Sequence, residues 1–257
     1  MGKLNYYIDK IHKYGRGSLA MNNKDVVLAS FPKSGNTWVR FFFCNLISLK
    51  EMDGQQVDFN VLDAVMPELG KSPLWKPWPY KSLPRIVKSH QPYKPWLFRK
   101  VPSILVMRDP KDVMVSFYKY EEHRVNPRFK GSFSDFIRNE QVGLTAWFKH
   151  YQSWRNQATI TLKYEDMKQG DVAAFSKIFD VLGLPYDQAW LEAAAQRSRF
   201  DQVKKVEAKS GISNPSKVQE SFRFARSGKT GEGNQWFTDA DLELLESLKK
   251  TYQVTIY

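Results

Sequence analysis

The sequence predicts an α/β fold, a three-layer sandwich around a mostly parallel sheet of four or five strands. Two observations predict it. Short apolar runs at Val26 to Phe31, Arg85 to Ser89, Ser103 to Met107 and Ala158 to Leu162 read as strands, and helical patterns lie between them. The first run passes through Pro32 to Thr37 directly into Trp38, Val39, Phe42, Phe43, Leu46 and Leu49, apolar residues at helical spacing. That junction is a tight strand-to-helix turn suited to an anion. Gly35 permits close backbone approach, the first N–H groups of a helix lack internal partners, and Lys33 adds a cation at the positive end of the dipole. The order Lys-Ser-Gly-Asn-Thr is not the G-x-x-x-x-G-K-[ST] run of a Walker A loop.

The remaining elements follow in order. Gly2 to Asn23 mixes polar and aromatic residues without a clear period and reads as a capping segment. Lys50 to Ser82 carries Pro67, Pro73, Pro77, Pro79, Trp75 and Trp78, a density of proline that excludes a long helix or a central strand. It is a candidate wall for an acceptor pocket. The second strand carries Lys88 and ends at His90, and in open parallel sheets ligands bind beyond the carboxyl ends of the strands. After the third strand, Arg108-Asp109-Pro110-Lys111-Asp112 opens a helix, with Pro110 in its first turn. A salt bridge from Arg108 to Asp112 is the plain structural reading of that arginine. Glu121 to Gly131 is charged and loop-like, and Ser132 to Gln157 supplies helices. Lys163 to Met167 follows the fourth strand, then helices at Val172 to Leu182 and Tyr186 to Arg197. Thr238 caps a last helix, Asp239 to Tyr252.

Composition limits the function. The chain has 257 residues, 42% of them hydrophobic, with no linker-like stretch, and reads as one domain over 1–257. No apolar run has the length of a transmembrane segment, and the N-terminus lacks the pattern of a signal peptide. A lone cysteine, Cys44, excludes an internal disulfide and fits a reducing compartment, so a cytoplasmic protein is expected; on its apolar helix face it reads as a buried structural thiol. The net charge of +12 points to an anionic partner. The basic residues are spread along the chain without a nucleic-acid-binding motif, so no nucleic acid partner is expected.

Six segments in order carry a resemblance. Pro32-Lys33-Ser34-Gly35-Asn36-Thr37-Trp38 resembles the 5′-phosphosulfate loop of the cytosolic-type sulfotransferases. Lys88-Ser89-His90 resembles their Lys-Thr-His signature, with serine for threonine. Arg108 to Ser116 resembles the 3′-phosphate motif, an arginine and a serine eight positions later. Tyr164-Glu165-Asp166-Met167 and Ser198-Arg199-Phe200 resemble the adenine-contacting segments, and Arg226-Ser227-Gly228 the C-terminal Arg-Lys-Gly loop. In that loop Ser227 stands for the usual lysine and Gly233 for the usual tryptophan, with Lys229 and Trp236 near enough to substitute.

The resemblance implies a P-loop nucleotide-kinase-like fold that moves a sulfuryl group from 3′-phosphoadenosine 5′-phosphosulfate (PAPS) to an acceptor hydroxyl, with 3′,5′-adenosine bisphosphate (PAP) as product and no metal. It implies that His90 takes the acceptor proton while Lys33 and Lys88 stabilise charge on the oxygens of an in-line displacement. Lys33, Ser34, Gly35, Asn36 and Thr37 would hold the 5′-phosphosulfate. Trp38, Tyr164, Ser198 and Phe200 would hold the adenine, and Arg108, Ser116, Arg226, Ser227 and Gly228 the 3′-phosphate. The acceptor is a small molecule or a lipid, and the oligomeric state stays open. The alternative is a P-loop-like, Mg-dependent nucleotide kinase, in which Glu165 and Asp166 end the strand as metal ligands.

Overall fold

The computed structural model describes the backbone of residues 3–255 and the side chains of residues 12–255. Four strands form one sheet: β1 (Val26–Ser30), β2 (Ile86–Ser89), β3 (Ser103–Met107) and β4 (Ile160–Lys163). All three pairings are parallel and the order is β2-β1-β3-β4, so the expected mostly parallel sheet is here wholly parallel. The chain leaves β1 toward β2 on one side and leaves β3 toward β4 on the other. Connections that diverge in this way open a crevice beyond the carboxyl ends of β1 and β3, the usual ligand position in open α/β sheets.

The central strands β1 and β3 are buried on both faces, which is why they read as continuous apolar runs, while the edge strand β4 buries only Leu162. Alternate residues serve two cores. Val26, Leu28, Ile86, Ile104 and Val106 face one core with Val39, Phe42, Leu46 and Phe175. Val27, Ala29, Val87, Leu105 and Met107 face the other with Phe117, Phe136, Phe148, Trp154 and Leu245. The result is three layers.

The first helix, α1 (Lys3–Ala20), occupies the segment expected to be an aperiodic cap; Gly2 lies outside the described residues. Its pattern is amphipathic, and tertiary contacts hold its C-terminal end. Tyr14, Ala20 and Met21 pack on the second core, and a Cβ added at Gly17 would stand 3.4 Å from Leu74. The helix after the turn, α2 (Asn36–Glu51), matches its expected start. Cys44 is fully buried on it, and burial pushes its thiol up to about 12, in keeping with a structural thiol. A short helix, α3 (Phe59–Val65), forms in the proline-free part of the long connection, capped by Asp58. The four-residue α4 (Pro95–Phe98) joins β2 to β3.

Helix α5 (Pro110–Glu122) follows β3, with Asp109 accepting from the Lys111 N–H as cap. Next come α6 (Phe133–Arg138), α7 (Leu144–Trp154), α8 (Tyr164–Gln169), α9 (Asp171–Leu182) and α10 (Gln188–Ser198). Helix α11 (Phe200–Ser210) was not legible as a separate element, because its apolar side consists only of Phe200, Val203 and Val206 among charged residues. The chain closes with α12 (Asp239–Tyr252), whose Thr238 and Asp241 form a capping box. Among the described residues no helix is long and apolar enough to cross a membrane.

Candidate active site

The turn between β1 and α2 bends through left-handed backbone at Lys33 (φ 70°) and Gly35 (φ 102°). Glycine is required at the second position, since a Cβ there would lie 2.6 Å from Cδ2 of Tyr164. Lysine at the first is a strained conformation for a residue with a side chain, of the kind found where a turn presents its groups to a ligand. Behind the turn, Asn36 Nδ2 donates to the Leu28 carbonyl at 3.3 Å and to Ser30 Oγ at 3.2 Å. The Asn36 side chain thus ties the start of α2 to the end of β1.

His90 joins the same network. Its Nδ1 lies 2.8 Å from the Ser30 carbonyl oxygen and 3.3 Å from Ser30 Oγ. A carbonyl only accepts, so in the neutral ring Nδ1 carries the hydrogen and Nε2 carries the lone pair. Burial, and then the Lys88 cation, pull the His90 imidazole down to about 3, leaving the ring neutral across the physiological range. Beside it, Lys88 Nζ pairs with Glu68 at 3.1 Å, and Lys71 pairs with the same carboxylate at 2.7 Å. Burial pushes Glu68 up, but the two lysines outweigh it and hold its carboxyl at about 2. Burial lowers Lys88 to about 8 against the pull of Glu68. Sequence reasoning missed Glu68, which lies twenty residues before Lys88 and reaches it because residues 67–69 bond alongside β2.

Lys33 has no carboxylate in ion-pair range among the described residues. Its Nζ instead faces the rings of Tyr120 (4.8 Å), Phe224 (4.9 Å) and Phe222 (6.0 Å). Burial lowers it to about 8, helped by the neighbouring charges of Arg108, Arg226 and Lys88. Four cations therefore share one field, three of them with a carboxylate partner and Lys33 with none in ion-pair range among the described residues, an arrangement suited to an entering anion.

The third group surrounds Tyr164, the first residue of α8. Trp38 meets its ring edge-on at 5.7 Å, the Arg108 guanidinium lies 4.5 Å over it, and its hydroxyl donates to the Gly228 carbonyl at 3.3 Å. Gly228 is left-handed (φ 61°), and a Cβ there would meet Cδ2 of Phe200 at 2.6 Å. The expected adenine residues Trp38, Tyr164 and Phe200 are thus brought to the C-terminal loop. Ser198 is buried at the end of α10 with its hydroxyl donating back to the Ala195 carbonyl (2.8 Å), and Ser227 Oγ accepts from the Lys229 N–H (3.3 Å). Thr37 is half-buried in the first turn of α2. Ser116 is half-buried on α5, its hydroxyl without a partner among the described residues.

Arg108 is held by Asp112 (3.3 Å), its plain structural partner, and by the Lys229 carbonyl (2.6 Å). Asp112 also accepts from the N–H groups of Gly231 (2.9 Å) and Gly233 (2.8 Å), fastening the C-terminal loop to the start of α5. This explains why glycine stands at 233: a Cβ there would come 2.4 Å from Cβ of Lys111. Trp236 packs on Phe133 (5.2 Å) and under Lys119 (4.7 Å). Arg226 makes a two-pronged pair with Glu232 (2.8 and 2.6 Å), which also takes Lys119 at 2.9 Å; the Arg226 bonds hold the Glu232 carboxyl at about 2. Glu207, another residue without a sequence signal, accepts the N–H groups of Phe224 and Ala225 and sets the approach of that loop. Among the described residues, the buried atoms Ser34 Oγ, Trp38 Nε1 and Arg108 Nε lack hydrogen-bond partners. Unmatched buried polar groups are rare, and these three line the site.

Glu165 does not end the strand as a free metal ligand, since its Oε1 accepts the Asp109 N–H at 3.0 Å. Residues 23–255 match the family model described as the sulfotransferase domain. The chain belongs to the sulfotransferase family. It is 26% identical to Sulfotransferase 2A6 of Rattus norvegicus over 89% of this chain and 84% of that one. It is 27% identical to Sulfotransferase 1E1 of Cavia porcellus, over 89% and 82%. The fold superposes on mouse sulfotransferase SULT7A1, solved with PAP, with a TM-score of 0.69 at 22% identity, covering 95% of this chain and 91% of that one. It superposes on retinol dehydratase, solved with androsterone and PAP, with a TM-score of 0.72 at 17% identity, over 97% and 85%. The protein is a PAPS-dependent sulfotransferase, and the kinase alternative falls with that assignment.

The sulfotransferase's histidines also set its response to acid. His150, buried against Phe31, is pulled down to about 4 by burial, and His90 to about 3. Both stay neutral in the native state where the unfolded chain, titrating near 6.5, takes up protons. Stability therefore falls as pH drops from about 6.5 toward 4, by up to about 1.4 kcal/mol per pH unit for His150 alone. Thermal melts from pH 7.5 to 4.5 should show this decline, and His150→Leu should make it shallower. An unchanged slope in that variant would remove His150 from the account.

Proposed function

We propose that the sulfotransferase transfers the sulfuryl group to an acceptor hydroxyl on a small molecule or lipid, with His90 as general base and the β1–α2 turn as the 5′-phosphosulfate cradle. The observation that carries this reading is the tautomer of His90. The Ser30 carbonyl takes the Nδ1 hydrogen, so Nε2 is available to receive the acceptor proton. Lys33 and Lys88 supply positive charge for the oxygens that gain charge as the bond to the donor breaks. An imidazole held near 3 is a weak base. The incoming donor is anionic, however, and its charge opposes the Lys88 field and raises the proton affinity of the ring as the reaction proceeds.

Trp38, Tyr164, Phe200 and the buried segment ending at Ser198 form the adenine site in this reading. Arg108, Ser116, Arg226 and the N–H groups of the loop at Ser227 and Gly228 take the 3′-phosphate, which replaces the Asp112, Lys229 and Glu232 oxygens around the two arginines. The retinol dehydratase and SULT7A1 structures support the donor chemistry through their bound PAP. We read 1–257 as one sulfotransferase domain working in a reducing, cytoplasmic setting; Met1, Gly2, Ile256 and Tyr257 lie outside the described residues.

Titration with PAP in the presence of a chelator tests the donor site, and transfer of labelled sulfate across phenols, aliphatic alcohols and glycolipids tests the acceptor. Arg108→Ala should weaken PAP binding at least about tenfold, as expected for one charged hydrogen-bonding group. Undiminished affinity in a folded Arg108→Ala protein would overturn the 3′-phosphate assignment.

A further inference from the structure

Between Glu68 and Asp109 the chain carries no carboxylate. The 39 residues from Leu69 to Met107 hold eight lysines and arginines, Lys71, Lys76, Lys81, Arg85, Lys88, Lys94, Arg99 and Lys100. Three of these are occupied inside the fold, Arg85 by Asp25, and Lys71 and Lys88 by Glu68. Lys76, Lys81, Arg99 and Lys100 are exposed and Lys94 is half-exposed, none of the five in an ion pair among the described residues. Between Lys94 and Arg99 stands Trp96, 70% exposed, with Lys94 over its ring at 5.6 Å, whereas the loop of Lys76 and Lys81 packs through Trp78 and Tyr80 on the first core. The next two residues, Leu97 and Phe98, are buried in the second core and fix α4 in place. An indole held outward by a rigid base, with Lys94 over its ring and Arg99 and Lys100 next along the chain, leaves apolar surface in water.

We propose that the face carried by residues 94–100, with Trp96 and the cations Lys94, Arg99 and Lys100, docks on the surface of an anionic lipid bilayer. The charge complements the phosphate and carboxylate headgroups, and tryptophan is favoured at the headgroup level of a membrane. No helix or strand of the patch has the length to enter a nucleic acid groove, which favours a bilayer over a duplex. The patch lies on the connection from His90 to β3.

Vesicle co-sedimentation tests the proposal. The protein should bind phosphatidylcholine vesicles containing phosphatidylserine at least about tenfold more tightly than phosphatidylcholine alone, and raised salt should release it. Trp96→Ser should weaken this binding several-fold. Lys94→Ser, Arg99→Ser and Lys100→Ser combined should weaken it by about fivefold for each charge removed. Lys204→Ser, Lys205→Ser and Lys209→Ser combined, on the exposed side of α11, should change it less than about twofold. PAP affinity and melting temperature verify that each variant is folded. Equal binding to both vesicle types, equal loss in the α11 variant, or displacement from vesicles by single-stranded RNA at lower concentration than by free phosphatidylserine vesicles would each overturn it.

Discussion

Replacing His90 by alanine should lower turnover on an aliphatic alcohol by about 10² to 10⁴, the usual contribution of a positioned base, while PAP affinity stays within a few-fold. The loss should be smallest for acidic phenols, which need least help in losing their proton. Because burial and Lys88 hold the imidazole neutral, the rate of the wild-type protein should show no fall between pH 8 and 6 due to protonation of this ring. Nitrogen NMR of His90 should place its titration well below 6.5 and move it upward when PAP is added, since the added anion offsets the neighbouring cation. A folded His90→Ala protein that keeps near-parental turnover on an alcohol would move the base elsewhere, to a carboxylate or to the substrate itself.

The second large effect is expected at Lys33, and it has two signs. Lys33→Met keeps the stem and deletes the charge, so turnover should fall by about 10² to 10³, as when a donor to developing negative charge is removed. PAP affinity should change far less, because the charge acts mainly on the group in transfer. Stability should move the other way. The Lys33 ammonium is held near 8 by burial and by Arg108, Arg226 and Lys88, against an ordinary value of 10.5. The penalty of keeping it charged is therefore complete below pH 8 and fades as pH rises toward 10.5. At pH 7, without nucleotide, Lys33→Met should melt at least about 2 °C above the parent, and the gain should shrink at pH 9 to 10. A variant that melts lower than the parent at pH 7 would show that the Tyr120 and Phe224 rings repay the burial of the charge in full.

The sheet was legible because its central strands are buried on both faces, so that the apolar runs Val26 to Ser30 and Ser103 to Met107 stand out without any partner being known. Helix α2 was legible for a similar reason, its apolar residues beginning directly after a turn rich in helix-start chemistry. Helices α1 and α11 were not, although each has an amphipathic side: Gly15 and Gly17 interrupt the first, and lysines crowd the second, whose Glu207 accepts from the backbone at 224–225. In the site, residues that lie in contiguous motifs could be named from the sequence. The acidic residues that hold the cations could not all be found. Asp112 was visible as a neighbour four positions from Arg108, but Glu68 and Glu232 meet their lysine and arginine only through the fold.

The pair between Arg226 and Glu232 also bears on which solutes the enzyme ignores. The carboxylate is tethered six residues from the guanidinium and grips it with two bonds, so it competes as an intramolecular anion at an effective concentration in the millimolar range or above. Chloride or free phosphate must displace it while offering contacts to only one cation. A nucleotide that reaches Arg108 and the turn in the same encounter has those extra contacts to set against the exchange. When the product departs, Glu232 is at hand to take the arginine back, and the guanidinium passes from one oxygen pair to another without a bare interval in water.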